Sequence, residues 1–409
     1  MLRYRPPGSA AFIFVFVTVA LDMVALGIVV PVLPKLIIQV EHGNLASAAT
    51  YSGIFATVWA AMQFFFSPVV GALSDRFGRR PIILLSNAGL ALDYLVMALA
   101  PSLAWLFLGR VLSGITASSY ATANSYIADV TPPEKRAARF GMLGAAFGLG
   151  FIIGPAFGGL LGGIDLRLPF WVAGALSLAN TAYGYFILPE SLKPENRRAF
   201  AWRRASPVGA LRLLRSHPEL LGLAAATVLM FLAHESLPNV FVLYTDYRYH
   251  WDATTVGLAL ACVGIGTTVV AALIVGPAVK RLGERRALLL GQTFGIIGFA
   301  IFAFAPEGWI YIVGIAPIAL WGIASPALTS LMSRRVGADE QGRLQGAIAS
   351  LRAITGMVGP LIFTQILALS IQGRYALPAG AAYLLAASLA LLSLLLVLRV
   401  LGASATRRV

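Results

Sequence analysis

Long apolar runs alternate with short polar breaks along the whole chain. Twelve runs, at roughly 10–33, 48–72, 81–100, 102–127, 140–163, 168–188, 219–245, 253–276, 287–305, 309–333, 344–371 and 376–401, are each about 20 residues or longer. At 1.5 Å of rise per residue, each can cross a hydrocarbon core about 30 Å thick. None of them alternates apolar with polar residues as a barrel strand does, and a segment crossing lipid must pair its backbone internally. The pattern therefore predicts an all-α integral membrane protein of twelve transmembrane helices. The one long polar break covers 189–217 and carries Lys193, Arg197, Arg198, Arg203, Arg204, Arg212 and Arg215. It predicts a basic cytoplasmic linker between an N-terminal six-helix bundle, 1–188, and a C-terminal one, 218–409.

The two halves echo each other. Adding 205 carries Gly71 to Gly276, Arg76 to Arg281, Gly78 to Gly283, Gly109 to Gly314, Gly141 to Gly346, and Gly154-Pro155 to Gly359-Pro360. One ungapped offset joining these places points to duplication, and parallel repeats of this kind build many secondary transporters. The stretch Gly71-Ala72-Leu73-Ser74-Asp75-Arg76-Phe77-Gly78-Arg79-Arg80 sits between two runs and predicts a tight turn at the membrane surface. Its three Arg against one Asp place it on the cytoplasmic side.

Composition agrees with immersion in lipid: 58% of the residues are hydrophobic and 12% charged, against about 25% charged in soluble domains. The net charge of +14 raises the question of nucleic acid, which the distribution answers. Of 31 Lys and Arg, 25 fall on one side of the predicted spans, four (Lys35, Arg167, Arg248, Arg374) on the other, and two (Arg110, Arg352) inside. That bias is the positive-inside rule with both termini cytoplasmic, and it leaves no nucleic-acid partner to expect. A single cysteine, Cys262, excludes an intrachain disulfide, and no metal site is expected. The first run is too long for a signal peptide and is read as an uncleaved span.

Ionisable residues inside the spans are the candidates for function, because each is costly there. Asp22 lies about 12 residues into the first span and Asp93 about 12 into the third, roughly 18 Å from the cytoplasmic end in both cases. Arg110, in the fourth span, falls at a similar depth. Two readings fit these three: an ion pair that locks helices, or a group that takes part in proton coupling. Span seven carries His234-Glu235 ahead of Pro238-Asn239, either as a proton site or as a hydrated pair in the outer vestibule. Arg352 in span eleven either meets an anionic group of a substrate or reaches along its stem to the cytoplasmic surface. No His-Glu-x-x-His helix and no nucleophile–base arrangement among His42, His217, His234 and His250 suggests an enzyme.

Trp59, Gln63, Phe64, Tyr120, Asn124, Ser125, Phe147, Gln292 and Trp321 supply an apolar cavity with a few polar anchors. Gly150, Gly154, Gly158 and Gly162 form one stripe at helical spacing around Pro155, with Gly159 beside it. Such a stripe suits either static close packing or a helix that slides.

With these residues in view, the chain resembles the major facilitator superfamily and, within it, drug:proton antiporters of the tetracycline-efflux type. The loop motif of that family is matched by Gly71 to Arg80, its fourth-span motif by Arg110-Val-Leu-Ser-Gly114, and its antiporter motif by Gly150 to Gly159. Leu21-Asp22, Pro31-Val-Leu-Pro34, Leu92-Asp93-Tyr94, Gly322-Ile-Ala-Ser-Pro326 and Leu344-Gln-Gly346 are similar to the tetracycline branch. The likeness covers about 10–400. It implies two six-helix bundles, alternating access, and export of an amphipathic drug against an entering proton. It also implies a monomer in the bacterial inner membrane, with no cofactor beyond the proton. Asp22, Asp93 and Arg110 match positions used for substrate and proton handling, and Asp75 and Arg76 match positions that lock the cytoplasmic gate. The chain departs from the branch at Gly295, where an acid is expected in span nine, at Thr267 in place of a His, at His234-Glu235, and at Arg352. Glu235 is a candidate to replace the missing acid. A small-metabolite transporter on the same fold is the alternative; a channel or scaffold would have no need of the buried charges.

Overall fold

Apolar residues at nearly every position leave these segments no way to satisfy their backbone except as helices. The computed structural model describes residues 11–117, 119–197, 218–337 and 340–406, and in them helices follow one another almost without interruption. They are α1 (Ala11–Val29), α2 (Leu33–Val40), α3 (Leu45–Phe77), α4 (Arg79–Leu99), α5 (Leu103–Thr116), α6 (Ser119–Val130), α7 (Pro133–Ile164) and α8 (Leu168–Ile187). After the linker come α9 (Pro218–His234), α10 (Ser236–Tyr249), α11 (Ala253–Val269), α12 (Val275–Phe304), α13 (Gly308–Val313), α14 (Ile315–Trp321), α15 (Ala324–Ser333), α16 (Gln341–Ile371) and α17 (Ala381–Thr406). Linker residues 198–217 lie outside the described residues. Among the described residues, nine helical stretches are long and apolar enough to cross a membrane.

Two expectations change in detail. The predicted surface turn at Gly71–Arg80 is shorter than expected, because α3 stays helical through Phe77 and the chain breaks at Gly78 alone. Span seven is not one helix. Pro238 has no N–H to offer the carbonyl of His234, so α9 ends at His234, Glu235 stands at the junction, and α10 starts at Ser236.

The chain divides into two compact units. Unit 1 holds Met1–Gly43, Val58–Ser206 and Trp251–Gly264 as far as they are described; unit 2 holds Asn44–Thr57, Pro207–His250 and Ile265–Val409. In unit 1, α1 is central and packs on α7, α8 and α6, while α4 packs on α8 and α5. Phe12, Val15, Val19, Ile83, Tyr126 and Leu143 fill the core beside it. In unit 2, α9 packs on α17, α16 and α15, and α12 on α17, α14 and α15. Its core is aromatic: Tyr311 and Tyr383 share a hydroxyl–hydroxyl hydrogen bond of 2.6 Å, and Phe302 stacks on Tyr311 at 4.1 Å between centroids.

The 205-residue echo extends to conformation and contact. Gly78 has φ 108° and ψ 160°, and Gly283 has φ 74° and ψ 160°. Both are backbone states that favour glycine, and both break a helix pair at the equivalent place. Gly109 of α5 packs against Met97, and its equivalent Gly314 packs against Phe302, the equivalent of Met97. Most telling is an ion pair repeated with its charges exchanged. Arg79 meets Asp129 at 3.2 Å in unit 1, and their equivalents Glu284 and Arg334 meet at 2.7 Å in unit 2.

Candidate functional site

Unit 1 buries three charges in apolar surroundings. Asp93 on α4 is 0% exposed and meets Arg110 of α5 at 3.4 Å, while Arg110 also donates to the sulfur of Met97 at 3.5 Å. Gly109 permits this approach, since a methyl there would come within 2.8 Å of the Asp93 carboxylate. Asp22 on α1, also buried, accepts a 2.8 Å hydrogen bond from the amide of Asn180 on α8. The same Asn180 amide donates to the carbonyl of Thr18 at 2.9 Å. Tyr94, fully buried next to Asp93, lies within electrostatic reach of Asp22, Asp93 and Arg110. The structure thus brings the three predicted residues around one tyrosine. Taking such charges out of water is costly even when they pair, so fold stability alone is a weak reason to keep them.

Unit 2 carries a second group of polar side chains. Glu235, at the junction of α9 and α10, accepts from the Asn239 amide at 3.2 Å. Its carbon stem lies against Gly359 of α16, where a methyl would come within 2.5 Å of it. His234 is exposed, yet its ring lies 6.0 Å from that of the buried Trp321. Arg352 of α16 is exposed and lies over the ring of Phe231, 5.7 Å from its centroid.

The aromatic and amide set is divided between the units, with Gln292 and Trp321 in unit 2 and the rest in unit 1. Gln292 is closed off: it accepts from the Trp321 indole at 3.0 Å and donates to Ser393 at 2.9 Å, which in turn donates to the carbonyl of Ala226. That chain ties α12, α14, α17 and α9 together. Trp59 packs by its backbone on Gly114, binding α3 to α5. Gln63, Phe64, Asn124 and Ser125 are half-buried in unit 1, and Phe147 is 42% exposed and stacked on Phe151 at 5.0 Å. The side chain of Tyr120 lies outside the described residues.

At the loop, Arg79 bonds in several directions. It pairs with Asp75 at 2.6 Å and Asp129 at 3.2 Å, and donates to the Ser74 hydroxyl at 3.0 Å. Its backbone N–H donates to Glu190 at 2.9 Å. Glu190 also accepts from the backbone of Leu192 and lies against Gly78, so the start of α4 is held by a carboxylate from the segment just after α8. Arg80 donates to the carbonyl of Tyr185, Arg76 is exposed over Phe77, and Gly71 borders open space.

The glycine stripe meets two neighbours. Gly150 and Gly154 face Met23, Val24 and Gly27 of α1, and Gly158 faces the carbonyl of Ile28. Gly159 instead meets Ala253 and Gly257 at the start of α11, and the carbonyl of Pro155 points the same way. Backbone therefore touches backbone on both sides of α7, which only small residues allow.

Against known proteins, a sequence model of the Major Facilitator Superfamily matches residues 15–360 and 236–408. This chain belongs to that superfamily. The transporter is 41% identical over 363 residues to a tetracycline resistance protein, class C, of Escherichia coli, covering 89% of this chain and 91% of the relative. It is 37% identical over 361 residues to the class G protein of Vibrio anguillarum, covering 88% and 90%. Among solved structures it resembles the human organic anion transporter MFSD10, with a TM-score of 0.69 at 22% identity, covering 96% of this chain and all of that one. It also resembles the nucleoside transporter NupG, with a TM-score of 0.76 at 13% identity, covering 96% and 98%. These structural likenesses carry the fold and no more.

Several side chains that hold the transporter's polar groups escaped sequence reasoning: Glu190, Asp129 and Asn180. Glu190 and Asp129 could have been found as acids on the same membrane side as the Arg-rich loop. Nothing in the pattern marks Asn180.

Proposed function

We infer that this transporter exports tetracycline-like or other amphipathic drugs across the bacterial inner membrane, in exchange for an entering proton. The observation that carries this reading is the likeness to tetracycline resistance proteins over nearly the full length of both chains. The buried Asp22 and Asp93–Arg110 group supports it, since a carboxylate in lipid is a proton carrier once water or substrate reaches it. In this reading Asp22, Asp93 and Arg110 handle the proton in the first half, and Glu235 with His234 does so in the second. The chain has twelve spans. The 52-residue stretch Ala253–Phe304 counts as two across Gly283, and Leu103–Val130 and Leu168–Ile187 add one each. The halves are 1–188 and 218–409, joined by the basic linker 189–217, with both termini cytoplasmic. Substrate meets Trp59, Gln63, Phe64, Tyr120, Asn124, Ser125, Phe147, Trp321 and Arg352, while Gln292 supports them from behind. Gly71, Asp75, Arg76, Gly78, Arg79 and Arg80 form the gate, and Gly150, Gly154, Pro155, Gly158 and Gly159 the close-packed seam. The protein works as a monomer, without cofactor, metal, nucleic acid or enzymatic step.

Everted membrane vesicles test the reading. Respiring vesicles should accumulate tetracycline, a protonophore should abolish the accumulation, and Asp93→Asn should lower it at least about tenfold, as expected for loss of a charge-assisted contact. Accumulation that survives the protonophore would overturn proton exchange.

A further inference from the structure

Arg352 sits about a third of the way along the membrane-spanning α16, roughly 16 Å from Gln341. It is exposed, and among the described residues it makes no hydrogen bond or ion pair through its guanidinium, which lies over the ring of Phe231. Its direction is fixed by its neighbours. Arg352, Gly356 and Gly359 stand at i, i+4 and i+7, one stripe of the helix. Gly359 packs on Leu232 and Glu235, and a methyl on Gly356 would lie 3.7 Å from the Glu235 carboxylate. The guanidinium therefore faces α9 and the α9–α10 junction, within electrostatic reach of Glu235 and His234, rather than turning to lipid. Glu235 does not neutralise it at contact distance and is held instead by Asn239 at 3.2 Å. The equivalent position in the first half is Phe147, also exposed. A guanidinium has five donors and is never neutral, so leaving it unpaired among apolar helices is costly unless an anion completes it.

We propose that Arg352 anchors an anionic group of the exported molecule, with Phe231 and His234 against the attached ring system. The preferred substrate class is then an aromatic drug bearing a carboxylate or an acidic enol, and Glu235 is the internal anion that competes with it. This rests on the exporter reading above, and the test separates the two by measuring equilibrium binding to the purified full-length protein alongside transport. The probes are ciprofloxacin, which carries a carboxylate, and its ethyl ester, which does not. Wild type should bind the acid about tenfold more tightly than the ester or better, the size of one charge-assisted hydrogen-bonded contact. Arg352→Gln should erase that preference, and Arg352→Lys should keep part of it. Glu235→Gln should bind the acid more tightly than wild type, a gain that misfolding does not produce. Equal binding of acid and ester by wild type, or an acid preference that persists in Arg352→Gln, would overturn the proposal even if tetracycline transport is intact. Loss of gradient-driven transport for every drug, with the acid preference retained, would instead count against the exporter reading alone.

Discussion

Asn87 is fully buried on α4, and neither end of its amide finds a hydrogen-bond partner among the described residues. Leu84 touches Gly184 and Tyr94 touches Gly174, so Asn87 stands on the stripe of α4 that faces Ser177 and Asn180 of α8. An unpartnered buried amide costs about 1–3 kcal/mol, whereas an apolar group of the same size costs little. Asn87→Leu should therefore raise the thermal midpoint of the purified protein by a few degrees; a fall would show that the amide is in fact paired. A second contrast lies within α7. A methyl on Gly158 would collide with the carbonyl of Ile28, while one on Gly141 meets nothing within 4 Å among the described residues. Gly158→Ala should cost about 1–3 kcal/mol of stability by overpacking. Gly141→Ala should be neutral or gain up to about 1 kcal/mol from helix propensity. At this scale, Asp22, Asp93 and Arg110 are legible in the sequence because a charge inside an apolar run stands out. The partners of Asp22 are not, because Asn180 is 158 residues away and an amide in a span is unremarkable.

Between elements, the exchanged ion pairs give the most specific expectation. Arg79–Asp129 joins the start of α4 to the end of α6, and Glu284–Arg334 joins the equivalent places in unit 2 with the signs reversed. If position and not sign is what the fold requires, Arg79→Glu combined with Asp129→Arg should restore much of the transport that either change alone removes. A double-mutant cycle on tetracycline accumulation measures this directly. A double variant no better than the worse single one would mean that Arg79 is needed for its bonds to Asp75 and Ser74 as well. The helices themselves were readable from hydropathy, and so was the glycine at each break. The run of α3 through Phe77 was not, because Gly71 and the charged residues after it look like a turn until the helix is seen to project beyond the apolar core. The break at Glu235 follows from Pro238, which removes the donor for His234.

For the whole molecule, duplication is what makes both the fold and the site intelligible. A single offset of 205 relates shared conformations at Gly78 and Gly283, equivalent contacts at Gly109 and Gly314, and an ion pair in each half. The halves differ where their chemistry differs: acids near Tyr94 in one, and Glu235 with Arg352 in the other. Exchange of drug for proton is the central claim, and it has a direct signature. Purified protein is reconstituted into liposomes enclosing a pH-sensitive dye, with equal pH on both sides and tetracycline added to one. An antiporter carrying drug down its gradient must drive protons the opposite way, so the drug-containing side should gain acid, and Asp93→Asn liposomes should show no such change. Tetracycline entry in wild type without any proton movement would contradict the account.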